Sequence, residues 1–232
     1  MKKRIRVNGI IIFVTVVVIL LFSNFFFDSP ASGLLKKIKE VFGLGFILLG
    51  QLIRISSRGY KSENSKNGHV LIKGGPYKLV RHPMYLGIIL IGFGIVLMLF
   101  KWWVAAGFFV IFSLRYITLI IKEESNLAAY FPEDYRIYKS EVPRRIFPAA
   151  REFFTSDIRR YLPLKKEWIS REFSSVSAVL TGVLAVNVYQ YIRKDGIVLY
   201  FGQALMILSV MAVFFTIIKY LETGQKDVSV KS

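Results

Sequence analysis

The chain has no cysteine and only two histidines, His69 and His82, in 232 residues. Without cysteine there is neither a disulfide nor a thiolate nucleophile, and two lone imidazoles do not supply the usual ligand set of a zinc site. Negative charge is scarce as well: 15 aspartates and glutamates stand against 32 lysines and arginines, a formal net charge of +17. Such an excess fits nucleic acid or an anionic membrane surface. The apolar content decides between them. Hydrophobic residues make up 54% of the chain and the mean hydropathy is +0.48, above the roughly 45–50% apolar content of soluble domains. The composition is that of an all-α, polytopic membrane protein, and the charge then becomes a question of which loops carry it.

Six apolar runs are long enough, or nearly so, to cross a bilayer. The first, Val7 to Phe27, follows Lys2, Lys3, Arg4 and Arg6 and reads as a retained anchor; Ser29 to Ser32 is the one place resembling a signal-peptide cleavage site. A second span is expected over Val41–Ile55, with Gly43, Gly45 and Gly50 thinning one face for close helix packing. Arg54 to Arg81 reads as a polar loop. Pro83–Phe100 and Trp102–Ile121 form an expected helical hairpin, separated by little more than Lys101. Ser174–Ile192 and Gly196–Ile218 close the series, the former with a small-residue stripe at Ser174, Ala178 and Gly182.

With the N-terminus in the cytoplasm, the outer loops hold only Lys36, Lys37, Lys39, Lys101, Arg193 and Lys194, and Arg115 lies within a span. All other lysines and arginines fall on the cytoplasmic side, as the positive-inside rule asks. Both termini, the 54–81 loop and the polar stretch 122–173 are then cytoplasmic. No nucleic acid is needed to explain the charge.

The chemistry concentrates in GGPYKLVRHPMYLG, Gly74 to Gly87. Gly74-Gly75-Pro76 demands a tight turn, which lets backbone approach a ligand. His82-Pro83 is a helix entry, since proline suits the first helical position and holds the preceding residue extended. A helix tip of this kind, with Arg81 and His82 beside it, has the makings of an anion site. A second constellation follows the fourth span: Glu123, Glu124, Leu127, Phe131, Tyr135, Tyr138, Val142 and Pro143. Two carboxylates just past a transmembrane helix C-terminus oppose the macrodipole. Taken alone they read as an acidic helix end balanced by Lys122 and Arg136.

Together these two strings resemble the membrane methyltransferases of the isoprenylcysteine carboxyl methyltransferase and phospholipid methyltransferase group. The first motif stands here as Gly75, Pro76, Tyr77, Arg81, His82, Pro83, Tyr85 and Gly87, and the second matches without a gap except that Pro132 replaces the family's usual glycine. The resemblance covers roughly Val41 to Pro148. It implies an S-adenosyl-L-methionine site on the cytoplasmic side, formed by His69, Gly75, Pro76, Tyr77, His82, Pro83, Tyr85, Gly87 and Glu123, with Arg81 and Glu124 as the catalytic pair. The planar fork of Arg81 suits a carboxylate, either that of the donor's methionine part or that of the acceptor. Glu123 and Glu124 would accept from ribose hydroxyls or an α-ammonium. Outside the motif, Arg81 would be only a positive-inside anchor and Tyr77 and Tyr85 ordinary interfacial aromatics; Arg144 and Arg145 read as contacts to lipid phosphate.

The expected organisation is an anchor and outer loop over 1–40, a methyltransferase core over 41–148, and an extension with two transmembrane helices over 149–232. The expected activity is S-adenosylmethionine-dependent methyl transfer to a lipid or isoprenylcysteine-like carboxylate, with the bilayer and a prenylated or lipid substrate as partners. The membrane would be the plasma membrane of a prokaryote or the endoplasmic reticulum of a eukaryote. Three rivals share the resemblance. An amine-directed phospholipid methyltransferase would need a base, an NADPH-dependent membrane reductase would need a basic cluster for the extra phosphate, and a membrane adaptor would keep the fold without turnover.

Overall fold

The computed structural model describes residues 23–27, 34–65, 69–148 and 161–229, with the side chains of 23–24, 189–204, 206 and 220–229 excepted. Helices account for all regular structure among the described residues. They are α1 (Ser23–Phe26), α2 (Leu34–Asn64), a 3-10 turn (Gly75–Lys78), α3 (Pro83–Leu99), α4 (Trp102–Tyr130), α5 (Pro132–Glu141) and α6 (Lys166–Ser229). The expected anchor from Val7 lies almost wholly outside the described residues.

The frame is an antiparallel pair, α2 against α3, held at backbone contact by glycine. A Cβ on Gly50 would lie 2.6 Å from the carbonyl oxygen of Gly87, and one on Gly87 would lie 2.7 Å from that of Gly50. Gly43 and Gly94 repeat the arrangement two turns away. Only glycine permits so close an approach, which is the usual reason for small residues at membrane helix contacts. Gly45, by contrast, faces open space. Phe100, extended between the two helices, ends α3 by taking its N–H back to the Val96 carbonyl, and Lys101 caps the turn into α4 by donating its N–H to Phe26.

α4 turns most of its surface outward. Phe109, Val110, Ile111, Leu114, Ile117 and Ile121 are exposed, as befits a lipid-facing helix and not the core of a soluble domain. By length and apolarity, Trp102–Tyr130 and Lys166–Val188 can cross a membrane, while Pro83–Leu99 and Ile207–Lys219 are shorter apolar helices. Two candidate spans are therefore seen among the described residues where six were expected for the whole chain.

Two segments depart from the sequence reading. The expected loop starting at Arg54 is helical to Asn64, because its polar residues are covered and paired. The Ser56 hydroxyl donates to the Pro163 carbonyl at 2.7 Å, Ser57 bonds back to Ile53, and Trp168 lies against Gly59. The C-terminal extension supplies those partners. Trp168 donates its indole N–H to Glu63 at 2.6 Å, and Glu172 forms ion pairs with Arg58 at 2.8 Å and Arg54 at 3.3 Å. The second departure is in α6, which is helical throughout. A straight helix would put Asn187 and Ile207 about 30 Å apart, yet both line one small space with Glu40, Leu44 and Met98. The helix therefore turns back between them, so the two apolar runs expected as separate spans belong to one element that folds onto itself. Its inner residues, Leu180, Val183 and Phe214, join Leu44, Ile47, Leu48 and Met98 in the largest core cluster.

Candidate active site

At the end of α3 that carries Pro83, four elements converge: the last turn of α2, the 69–82 segment, the C-terminal half of α4, and α5. Tyr138 on α5 fixes the arrangement by donating its hydroxyl to the Tyr77 carbonyl at 2.7 Å, buried. Ile72, Tyr77, Tyr135, Tyr138 and Val142 form the apolar cluster around that bond. Gly75 takes φ +55 and Tyr60 packs over Gly74 and Gly75, so the turn needs glycine both for its dihedral and for room. Replacing Tyr138 with phenylalanine would leave the buried Tyr77 carbonyl unpaired. The expected loss is about 1–2 kcal/mol, read as a lower melting temperature of the detergent-purified protein.

Below this cluster lies the charged centre. The Arg81 guanidinium, 3% exposed at its side chain, donates from Nη2 to Glu124 at 3.1 Å. His82 Nε2 lies 3.3 Å from the same carboxylate oxygen, and Arg145 Nη2 approaches the other at 3.4 Å. α4 continues to Tyr130, so Glu123 and Glu124 lie inside the helix and not just past its end as the sequence suggested; three cationic or potentially cationic groups share the buried Glu124 carboxylate, which explains why it is tolerated there. Glu123 is more open: it stands 3.7 Å from His82 Nδ1 and accepts a hydrogen bond from the Tyr85 hydroxyl.

Beside the centre is a cavity of about 330 Å³, lined among others by Leu71, Ile72, Tyr77, Arg81, His82, Tyr85, Glu123 and Phe131. That volume lies at the lower end of ordinary small-molecule sites, which run from about 300 to 1,000 Å³. Two more nitrogens of Arg81, Nε and Nη1, are buried and have no hydrogen-bond partner among the described residues. Buried donors left unpaired are costly, and Arg81 is also the residue of the pair that lines the cavity. The tyrosines are neutral hydroxyls here and not bases. Burial holds the Tyr77 and Tyr138 hydroxyls far above their ordinary range, and burial together with the Glu124 carboxylate pushes Tyr135 up to about 12.

Of the residues expected at the site, Tyr77, Arg81, His82, Tyr85 and Glu123 line the cavity, and Glu124 is tied to Arg81. Pro76 and Pro83 instead line a separate small space with Ile53, Leu86 and Leu162. Gly87 sits on the α2–α3 contact and Gly75 under Tyr60. His69 is exposed next to the cavity-lining Val70. The backbone beside the helix tip is already engaged: the N–H groups of Arg81 and His82 donate to the carbonyls of Arg144 and Arg145 at 3.0 and 2.9 Å. An anion bound here therefore meets side chains before it meets those amides. Arg145, read from sequence as a lipid contact, is a partner of Glu124. Lys61 and Ser65 on the α2 end also line the cavity; nothing in their local sequence singled them out, since the stretch reads as polar loop.

Comparison with known proteins bears on the same elements. Residues 60–129 match the model of the isoprenylcysteine carboxyl methyltransferase family. A protein named Protein-S-isoprenylcysteine O-methyltransferase, from Schizosaccharomyces pombe, is 28% identical over 129 residues, covering 52% of this chain and 54% of that protein. The chain thus spans about half the length of the curated relative it matches. No solved structure matches the chain.

Proposed function

From a segment, residues 60–129, that carries the pattern of the isoprenylcysteine carboxyl methyltransferase family, we propose that the protein is a membrane-embedded methyltransferase. It would use S-adenosyl-L-methionine to esterify the carboxylate of an isoprenylcysteine or a similar prenylated acceptor. The observation that carries this reading is Arg81: a buried guanidinium of a residue that lines a cavity, with Nη2 spent on Glu124 and the nitrogens Nε and Nη1 without a partner among the described residues.

The residues present fit the donor. Phe131, Leu127 and Ile72 offer apolar and aromatic surface for an adenine ring, and Glu123 offers an acceptor for an amine or a hydroxyl. When bound, the donor supplies an electrophilic methyl on a sulfonium. The chain's own work is to place the acceptor. Arg81, braced by Glu124, would grip the acceptor carboxylate with its free N–H groups and aim one oxygen lone pair at the methyl. A carboxylate is already ionised near neutral pH, so no base is required. The transition state neutralises charge, and the apolar lining favours it by excluding water. Glu124 is poorly placed to serve as the base that an amine acceptor would need, because its two oxygens are already engaged by Arg81, His82 and Arg145. That favours the carboxylate over the phospholipid amine.

The finer placement belongs to the same proposal: about six spans, both termini in the cytoplasm, and a cofactor site reached from the cytosol. The test is calorimetric titration of detergent-purified protein with S-adenosylhomocysteine and, separately, NADPH, followed by labelled-methyl transfer to an S-farnesylated N-acetylcysteine. Micromolar binding of the first ligand alone and a base-labile methyl ester are expected. Binding of NADPH alone, or label appearing only on lipid amines, would overturn the reading.

A further inference from the structure

Building on the donor reading, we propose that Lys61 is a specificity-determining residue that binds the α-carboxylate of the methyl donor, opposite Glu123, which takes the α-ammonium. The amino-acid end of such a donor is a zwitterion. A site that recognises it needs one anion and one cation facing the same space.

The cavity offers such a pair once its charges are assigned. Glu124 is enclosed by Arg81, His82 and Arg145. Arg81 gives one nitrogen to Glu124 and, in the reading above, the rest to the acceptor. What remains among the cavity's charged residues is Glu123, which meets His82 and Tyr85 yet keeps its side chain 35% exposed, and Lys61. Lys61 makes no ion pair or hydrogen bond with its ammonium among the described residues, and it lies within electrostatic range of Glu123. Ser65 lines the cavity one turn beyond Lys61. Residues four apart share a helix face, so its hydroxyl can donate to the same carboxylate.

A lysine in the last turn of a helix is also what the macrodipole favours, so the experiment must isolate the carboxylate. Binding of S-adenosylhomocysteine and of its decarboxylated analogue would be measured by calorimetry on the full-length protein, on Lys61→Ala and on Lys61→Arg. Wild type should prefer the carboxylate-bearing ligand by about tenfold or more, as expected for a charge-assisted hydrogen bond. Lys61→Ala should bind S-adenosylhomocysteine about tenfold more weakly, leave the decarboxylated analogue unchanged and so abolish the preference, and Lys61→Arg should restore most of it. Equal weakening for both ligands in Lys61→Ala, or none for either, would overturn the assignment while leaving the donor reading intact. If wild type binds neither ligand, the donor reading itself falls and takes this assignment with it.

Discussion

Arg81→Ala is expected to lower kcat/KM for methyl transfer about a thousandfold, about 4 kcal/mol in transition-state stabilisation, while the protein still folds and inserts. The two halves of that expectation have different physical origins. Removing one partner of a buried ion pair costs about 3–5 kcal/mol when it strands the other charge. Here Glu124 keeps His82 at 3.3 Å and Arg145 at 3.4 Å, so the cost to the fold is cushioned. The cost to the ligand is not. Among the described residues no other guanidinium lines the cavity, and Arg145, 52% exposed, is not part of its wall. Arg81→Lys would keep the charge but lose the fork, and should recover only part of the activity. Initial rates and melting temperatures of the two purified variants check this together; a folded Arg81→Ala protein with a near-wild-type rate would remove Arg81 from the chemistry.

The second large effect lies in the frame. Gly50→Val should destabilise the protein by about 3 kcal/mol or more, at or beyond the upper end of ordinary overpacking. The new Cβ would meet the Gly87 carbonyl oxygen at 2.6 Å and the Ile91 backbone nitrogen at 2.9 Å. Backbone cannot step aside as a flexible side chain can, so α2 and α3 must separate along the length that also holds Gly43 against Gly94. The end of α3 carries Arg81 and His82 just ahead of it, so activity should fall with stability. Gly45→Ala is the matched control. Its Cβ meets nothing, and alanine is the better helix former by about 0.5–1 kcal/mol. A thermal melt that ranks the two variants in the opposite order would mean that α2 and α3 do not pack as described.

Much of the local architecture was readable in advance. Pro83 marks the first residue of α3, the break at Phe100 and Lys101 makes the hairpin, and the glycine turn adopts its positive φ at Gly75. The second motif places Tyr138 and Glu124 where they meet the first. What could not be read is of another kind. Arg54 to Asn64 looks like a loop because serines, arginines and a glycine are poor evidence for a buried helix. It becomes one only when Trp168, Pro163 and Glu172, more than a hundred residues later, cover and pair those groups. Arg145 looks like a lipid contact until Glu124 is seen beside it. Gly87 belongs to the same short motif as Arg81, yet one serves helix packing and the other faces the cavity.

The sequence by itself determined the apolar helical character of the chain, the turn and helix entry around Gly75 and Pro83, and the two strings of residues that meet at one centre. These follow from rules that act within a few residues: dihedral limits of glycine and proline, hydrophobic run length, and the charge of neighbouring side chains. Only the tertiary structure decided that Glu124 is shared by three partners, that two buried nitrogens of Arg81 are left without a partner among the described residues, that Lys61 joins the cavity wall, and that the C-terminal helix stabilises α2. Each of those depends on which distant group arrives to desolvate or neutralise a charge, and no local pattern records the arrival.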